Sequence, residues 1–271
     1  FDGNGHTISG LIINRPGAAY VGLFGRVGVG GQVRNLGLVG GAVTGNQYVG
    51  GLVGYNYEGP VSNCYATGAV SGTGTCVGGL VGRNYYGPVS NCYATGAVTG
   101  DDYIGGLVGY NNGPVSNCYA TGAVTGDDYI GGLVGYNNGP VSNCYATGAV
   151  SGDLYVGGLV GDNSSGTVSN CYATGAVTGN QYVGGLVGYN YSGTVSYSGT
   201  VSDCYATGAV TGDDSIGGLV GYNDFGTVSS CYATGAVTGT GDFVGGLVGD
   251  NDEGTVSNSY WDMQTSGQST S

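Results

Sequence analysis

Aspartate, cysteine and tyrosine recur here at spacings that would bring chemical groups together. Asp101, Asp102, Asp127, Asp128 and Asp153 occupy the same short loop in three consecutive repeats. Stacked repeats would gather these carboxylates along one edge, and oxygen ligation of calcium would relieve their repulsion. The other reading is a solvated acidic edge, because the Gly-Gly-x-Gly-x-Asp calcium pattern is missing. Tyr65, Tyr93, Tyr119, Tyr145, Tyr172, Tyr205 and Tyr232 recur once per repeat, each two residues before a threonine. An exposed row of rings and hydroxyls suits contact with carbohydrate or protein; stacked tyrosines that only stabilise a sheet are the alternative.

Cys64, Cys92, Cys118, Cys144, Cys171, Cys204 and Cys231 form a second column, with Cys76 apart from it in a position that other repeats give to Tyr48, Tyr103, Tyr129, Tyr155 and Tyr182. Eight cysteines suggest disulfides. In-register stacking argues against them: like β-carbons would lie about 4.8 Å apart, and a disulfide wants about 3.8 Å. Buried free thiols are the favoured reading, ahead of strained disulfides and metal. Asn56, Asn84, Asn111, Asn137, Asn163, Asn190, Asn223 and Asn251 follow successive repeats as a third column, suited to an amide ladder that satisfies turn backbone. Asn163-Ser164-Ser165 and Asn190-Tyr191-Ser192 also match the glycosylation sequon. Catalysis lacks a residue set: His6 is the single histidine, and no serine, cysteine or carboxylate has an identifiable base partner.

The element that must position these columns is a repeat. Gly-Leu-Val-Gly occurs eight times, and Gly22-Leu23-Phe24-Gly25 is a ninth copy. Steps between the leucines are 29, 28, 27, 26, 26, 27, 33 and 28 residues, the range of solenoids. Short runs of strand formers separated by Gly, Asn and Asp, with no helical periodicity, predict an all-β chain. The expected fold is a parallel β-solenoid, a single-stranded β-helix with about one coil per 26–28 residues. Right-handed winding follows from the crossover rule. Alternation in Cys-Tyr-Ala-Thr turns the cysteine and alanine columns inward and the tyrosine and threonine columns outward. Leu11 and Leu36 head the cysteine column, and Ile13 and Leu38 the alanine column. In Leu52-Val53 and its copies both residues are apolar, so alternation assigns no face. The expected organisation is an opening coil over residues 1–31, tandem repeats over 32–258 and a closing segment over 259–271. Residues 192–197 form an insertion that should bulge outward, and Trp261, in the alanine column, should close the last coil.

The Gly-Leu-Val-Gly units, the opening Phe1-Asp2-Gly3-Asn4-Gly5-His6-Thr7-Ile8 and the tail Ser259-Tyr260-Trp261-Asp262 resemble the GLUG-repeat family. That family occurs in large bacterial and archaeal surface proteins, in adhesins and in the non-catalytic part of IgA-specific zinc metallopeptidases. The resemblance implies an extracellular or cell-surface β-helical segment and no activity, since the His-Glu-x-x-His zinc site is missing. Composition agrees. There is no lysine, the four arginines (Arg15, Arg26, Arg34, Arg83) lie in the first third, and the net charge is −13. Such a surface repels nucleic acid and anionic lipid, and no apolar run reaches the length that spans a bilayer. The start at Phe1 suggests a mature piece of something longer. The expected role is a non-enzymatic rod for surface adhesion or spacing, without a cofactor other than possible calcium. Its expected partners are carbohydrate, or a host or neighbouring surface protein. A self-associating filament built by end-to-end stacking is the first alternative; a carbohydrate-active β-helix or peptidase carrier region is the second.

Overall fold

The computed structural model describes residues 1–192 and 199–270. The chain winds into a parallel β-solenoid of about nine coils, in which each residue stacks on its counterpart one coil away. The insertion proposed at 192–197 lies almost wholly outside the described residues. One coil shows the path. Strands Val115–Ser116, Tyr119–Ala120, Val124–Thr125, Asp128–Gly131 and Val134–Asn137 follow one another, and each belongs to a different sheet. We number the sheets 1 to 5 in that order; among the described residues they hold nine, ten, nine, eight and nine strands. Every strand pairing within the five sheets is parallel, and from the third coil on most pairs set like on like, as in Tyr93↔Tyr119 and Val108↔Val134.

The interior has two lobes. The larger is filled by the sheet 1 valines, the cysteine and alanine columns of sheet 2, and both the leucine and the valine of Gly-Leu-Val-Gly. Leu133 and Val134 are each fully buried, which settles the face that alternation left open. The smaller lobe stacks the sheet 3 valines on the Ile or Val of sheet 4. Between the lobes the coil is pinched, and the pinch explains the motif's glycines. None of them needs a positive φ. A β-carbon on Gly132 would run into Gly158 O and lie 2.9 Å from Ala146 Cβ, and one on Gly135 would lie 2.6 Å from Ile104 N. Glycine stands at these points because neighbouring backbone occupies the space a side chain would need.

The corners use another device. Asn63, Asn91, Asn117, Asn143 and Asn170, which precede the cysteine column, all have φ of 52–53°, a left-handed conformation that asparagine tolerates better than most residues. The opening coil departs from the expected alignment. Ile8, rather than Ile13, stands beside Leu38 in sheet 2, and Ile13 stands beside Val43 in sheet 3. Ile8, Leu11 and Ile13 are all aliphatic, so the pattern admits either register, and backbone pairing selects one. At the other end Trp261 takes the place next to Ala233. Its indole Nε1 donates to Gln268 O at 3.2 Å, Gln268 Nε2 donates to Val237 O at 3.1 Å, and Gly246 N donates to Thr270 O at 2.9 Å. The tail is thereby laid across part of the last coil.

The inner asparagines fasten the coils together. Each Asn Nδ2 donates to the carbonyl of a following glycine, two or three residues on except at Asn190, and each but the last, Asn251, also donates to Oδ1 of the next asparagine: Asn111 to Gly113 O at 2.7 Å and Asn137 Oδ1 at 2.9 Å, Asn137 to Gly139 O at 2.7 Å and Asn163 Oδ1 at 2.9 Å. Replacing Asn137 by Ala strands a donor on Asn111 and acceptors on Gly139 and Asn163, all in a buried setting. We expect a loss of about 3 kcal/mol in chemical denaturation, at 1–3 kcal/mol per buried unsatisfied group. A loss below about 0.5 kcal/mol would show that the ladder adds nothing beyond packing.

Candidate binding surface: stacked side-chain rows

Seven of the eight sheet 2 tyrosines stack in one row, and Tyr260, in register beside Tyr232, is exposed at its end. From Tyr65 to Tyr232 adjacent ring centroids are 4.7–4.9 Å apart with interplanar angles of 2–4°. The rings are half-buried except Tyr232, which is 44% exposed. Each inner ring has a neighbour on both faces. The row therefore presents ring edges and hydroxyls, and the open aromatic faces expected from the sequence are covered by the stacking itself. Burial, and to a lesser extent the neighbouring rings, moves the phenols of Tyr93, Tyr145, Tyr172 and Tyr205 above their ordinary range, so they stay neutral at physiological pH. The threonine column beside them is half-buried to exposed.

A second aromatic surface, which the sequence reading missed, covers sheets 4 and 5. One row there is Tyr20, Tyr48, Cys76, Tyr103, Tyr129, Tyr155, Tyr182 and Ser215, every member with positive φ. The adjacent row is Arg26, Tyr55, Arg83, Tyr110, Tyr136, Asp162, Tyr189, Tyr222 and Asp250, paired in register along sheet 5. The rows interlock edge to face: Tyr103 lies 5.7 Å from Tyr110 at 69° and 5.7 Å from Tyr136 at 89°. The tyrosine that follows Gly-Leu-Val-Gly in most copies was the available signal. Arg83 replaces it in one coil, and its guanidinium lies 4.9 Å from the Tyr110 centroid and 5.8 Å from Tyr55. Cys76 is buried, and burial pushes its thiol up to about 11.

The ladder cysteines are buried in the large lobe, and all eight cysteines are free. Each ladder Sγ donates to the carbonyl of the serine two residues before it at 3.0–3.2 Å. From Cys92 to Cys204 each also accepts the backbone N–H of the preceding cysteine at 3.4 Å. The thiols behave as small core residues with a local hydrogen bond.

Two expectations need correction. The aspartates do not converge. Register places Asp102 beside Asp128 and then Leu154, while Asp101, Asp127 and Asp153 run as a separate exposed column joined through their backbones. Among the described residues no three His, Cys, Asp or Glu side chains form a group able to hold a metal. Burial and then the neighbouring aspartates raise the carboxyls of Asp102 and Asp128. Asn163 and Asn190 are fully buried, with both side-chain amides engaged in the inner ladder. The folded chain leaves no room for a glycan on either. His6 is exposed beside the opening turn.

A parallel β-solenoid that displays uninterrupted rows of like side chains defines a repeat protein whose surface is built one coil at a time. The GLUG motif matches residues 45–71, 73–99, 100–125, 126–151, 152–178, 179–211 and 212–238. The chain belongs to that family. A Gly-rich membrane protein of Evansella cellulosilytica is 48% identical over 59 residues, covering 21% of this chain and 7% of its own length. Halomucin of Haloquadratum walsbyi is 42% identical over 66 residues, covering 24% of this chain and 1% of its own length. The matched stretch is thus a small part of much longer relatives. No catalytic family is among these matches. No solved structure matches the chain, and no helix is long and apolar enough to cross a membrane.

The packing of the thiols makes a direct prediction. A thiol-specific chromogenic reagent should find none of the eight cysteines in the native chain and all eight in denaturant. A denatured count below eight would mean disulfides, and rapid native reaction would mean the ladder is open to solvent.

Proposed function

We propose that this chain is a non-enzymatic, extracellular rod that holds a linear polysaccharide along its sheet 2 face, and so serves in surface spacing and attachment. The observation that carries this reading is the uninterrupted run of seven phenol hydroxyls, repeating every 4.7–4.9 Å next to a column of threonine hydroxyls. A hydroxyl-rich chain offers donors and acceptors at regular intervals. Each contact is weak, and a rigid array of them adds through effective concentration. Rigidity comes from the solenoid, in which each coil is tied to its neighbours by five strands and an amide ladder. The surface location is supported by the names of the two relatives, a Gly-rich membrane protein and a halomucin. The tail across the last coil favours a single rod over end-to-end stacking, and negative-stain microscopy would tell rods from fibres.

Phenylalanine is the informative substitution because it keeps the stack and removes only the hydroxyl. With Tyr119, Tyr145 and Tyr172 all changed to Phe, retention on immobilised polysaccharides should fall at least about 10-fold, since three hydrogen bonds of about 0.5–1.5 kcal/mol each are lost. Thermal stability should stay close to that of the parent. Equal retention by the triple variant, or no retention of the parent on any polysaccharide, would overturn the reading; binding to a protein instead would assign the face to a protein partner.

A further inference from the structure

The sheet 5 row contains a slot that its neighbours do not. In register the order is Tyr136, Asp162, Tyr189, so a short carboxylate interrupts a column of rings. Tyr136 stacks on Tyr110 at 4.6 Å on one side, and Tyr189 packs on Tyr222 at 5.3 Å on the other. The two rings flank Asp162 from about two strand spacings apart, roughly 9.6 Å. Each has lost its stacking neighbour on the side that meets Asp162. Tyr129 and Tyr155 of the adjacent row stand beside it, with Tyr155 tilted 5.4 Å from Tyr189. Asp162 itself is 5% exposed, and its Oδ1 is buried without a hydrogen-bond partner.

The same row shows what such a slot takes. Three coils earlier the order is Tyr55, Arg83, Tyr110, and there the position between two tyrosines is filled by the chain's own guanidinium, held over both rings. A cation between two phenol rings is a favourable arrangement, more so when it is partly desolvated. At Asp162 the flanking rings are of the same type, the central residue carries the complementary charge, and no cation of the chain reaches it. The single ion pair among the described residues, Arg34 with Asp2, lies in the opening coils.

We propose that Asp162 and the tyrosines around it, Tyr129, Tyr136, Tyr155 and Tyr189, form a binding site for a guanidinium or alkylammonium head group. The carboxylate would neutralise the charge and Tyr136 and Tyr189 would sandwich it, as Tyr55 and Tyr110 sandwich Arg83. The cover is one layer of tyrosine side chains, themselves half-buried, so admission needs rotamer changes and no unfolding. Binding is linked to a proton. The titratable groups facing the carboxyl are the phenols of Tyr103, Tyr129, Tyr136, Tyr155 and Tyr189, and the Tyr189 hydroxyl donates to Asp224 Oδ2 at 2.7 Å. No basic group is among them. Burial pushes the empty Asp162 carboxyl up to about 8, so at pH 7 it is mostly protonated and must release its proton to take a cation.

The test is calorimetric titration of the full chain with methylguanidinium chloride and with tetramethylammonium chloride at pH 7, in two buffers of different ionisation heat, with sodium chloride as the control salt. Saturable one-to-one binding of at least one organic cation, with close to one proton released, is the expected result. Asp162→Asn should weaken it at least 10-fold. Asp162→Tyr, which restores the residue most coils carry here, should abolish it while the melting profile shows the fold intact. Three results would overturn the proposal: no saturable binding of either cation, binding without proton release, or binding that survives Asp162→Tyr.

Discussion

Parallel pairing in register between successive coils is the constraint on which everything else in this molecule depends. Once a strand stacks on its own copy, every side chain meets a chemically similar side chain at one strand spacing, and the chain can use only residues that tolerate their own likeness. Tyrosine does, through parallel rings; asparagine does, because one amide donates where the next accepts; valine, alanine and cysteine do, through packing. Charged residues do not, and the raised carboxyls of the half-buried pair Asp102 and Asp128 are the cost of putting them in register.

The inner asparagine ladder turns that constraint into a specification of register. A one-residue slip would already turn the buried valines outward, and the Asn111, Asn137 and Asn163 amides add a polar lock, because they have partners only when each coil sits where it does. Each amide also holds the carbonyl of the glycine that turns the chain into the next coil, so the same atoms close the turn and align the neighbours. The glycines of Gly-Leu-Val-Gly belong to the same arrangement. They allow backbone to meet backbone at the pinch between the lobes, where even a methyl group would collide.

Departures from the repeat are where particular chemistry enters. Arg83 and Asp162 both stand in a tyrosine column, and each gains its surroundings from the tyrosines one coil away on either side. Arg83 lies over ring faces with its Nε buried and without a hydrogen-bond partner; Asp162 is left with an unpartnered oxygen and no cation. Cys76 is the corresponding change in the adjacent row, a buried thiol where other coils place a phenol. An array of identical units is a uniform background, and one exchanged residue within it takes its surroundings from the unchanged coils on either side.

Period, strand content, the inward cysteine and alanine columns and the amide ladder were legible from residue order alone, because stacking makes each column visible as a recurrence. Tertiary structure decided what recurrence cannot express. It placed Ile8 rather than Ile13 beside Leu38, since three nearby aliphatics fit the same pattern and only backbone pairing chooses among them. Asn163 and Asn190 proved to lie inside the wall, where a sequon in one dimension cannot show burial. The aspartates split into two columns because Asp101, Asp127 and Asp153 lie in the bend before the strand, while Asp102 and Asp128 open the strand itself. Above all, the pairing of two tyrosine rows from separate strands of each coil into one aromatic surface, with Asp162 inside it, depends on how the coil bends between sheets 4 and 5, and a bend of that kind leaves no trace in a column of letters.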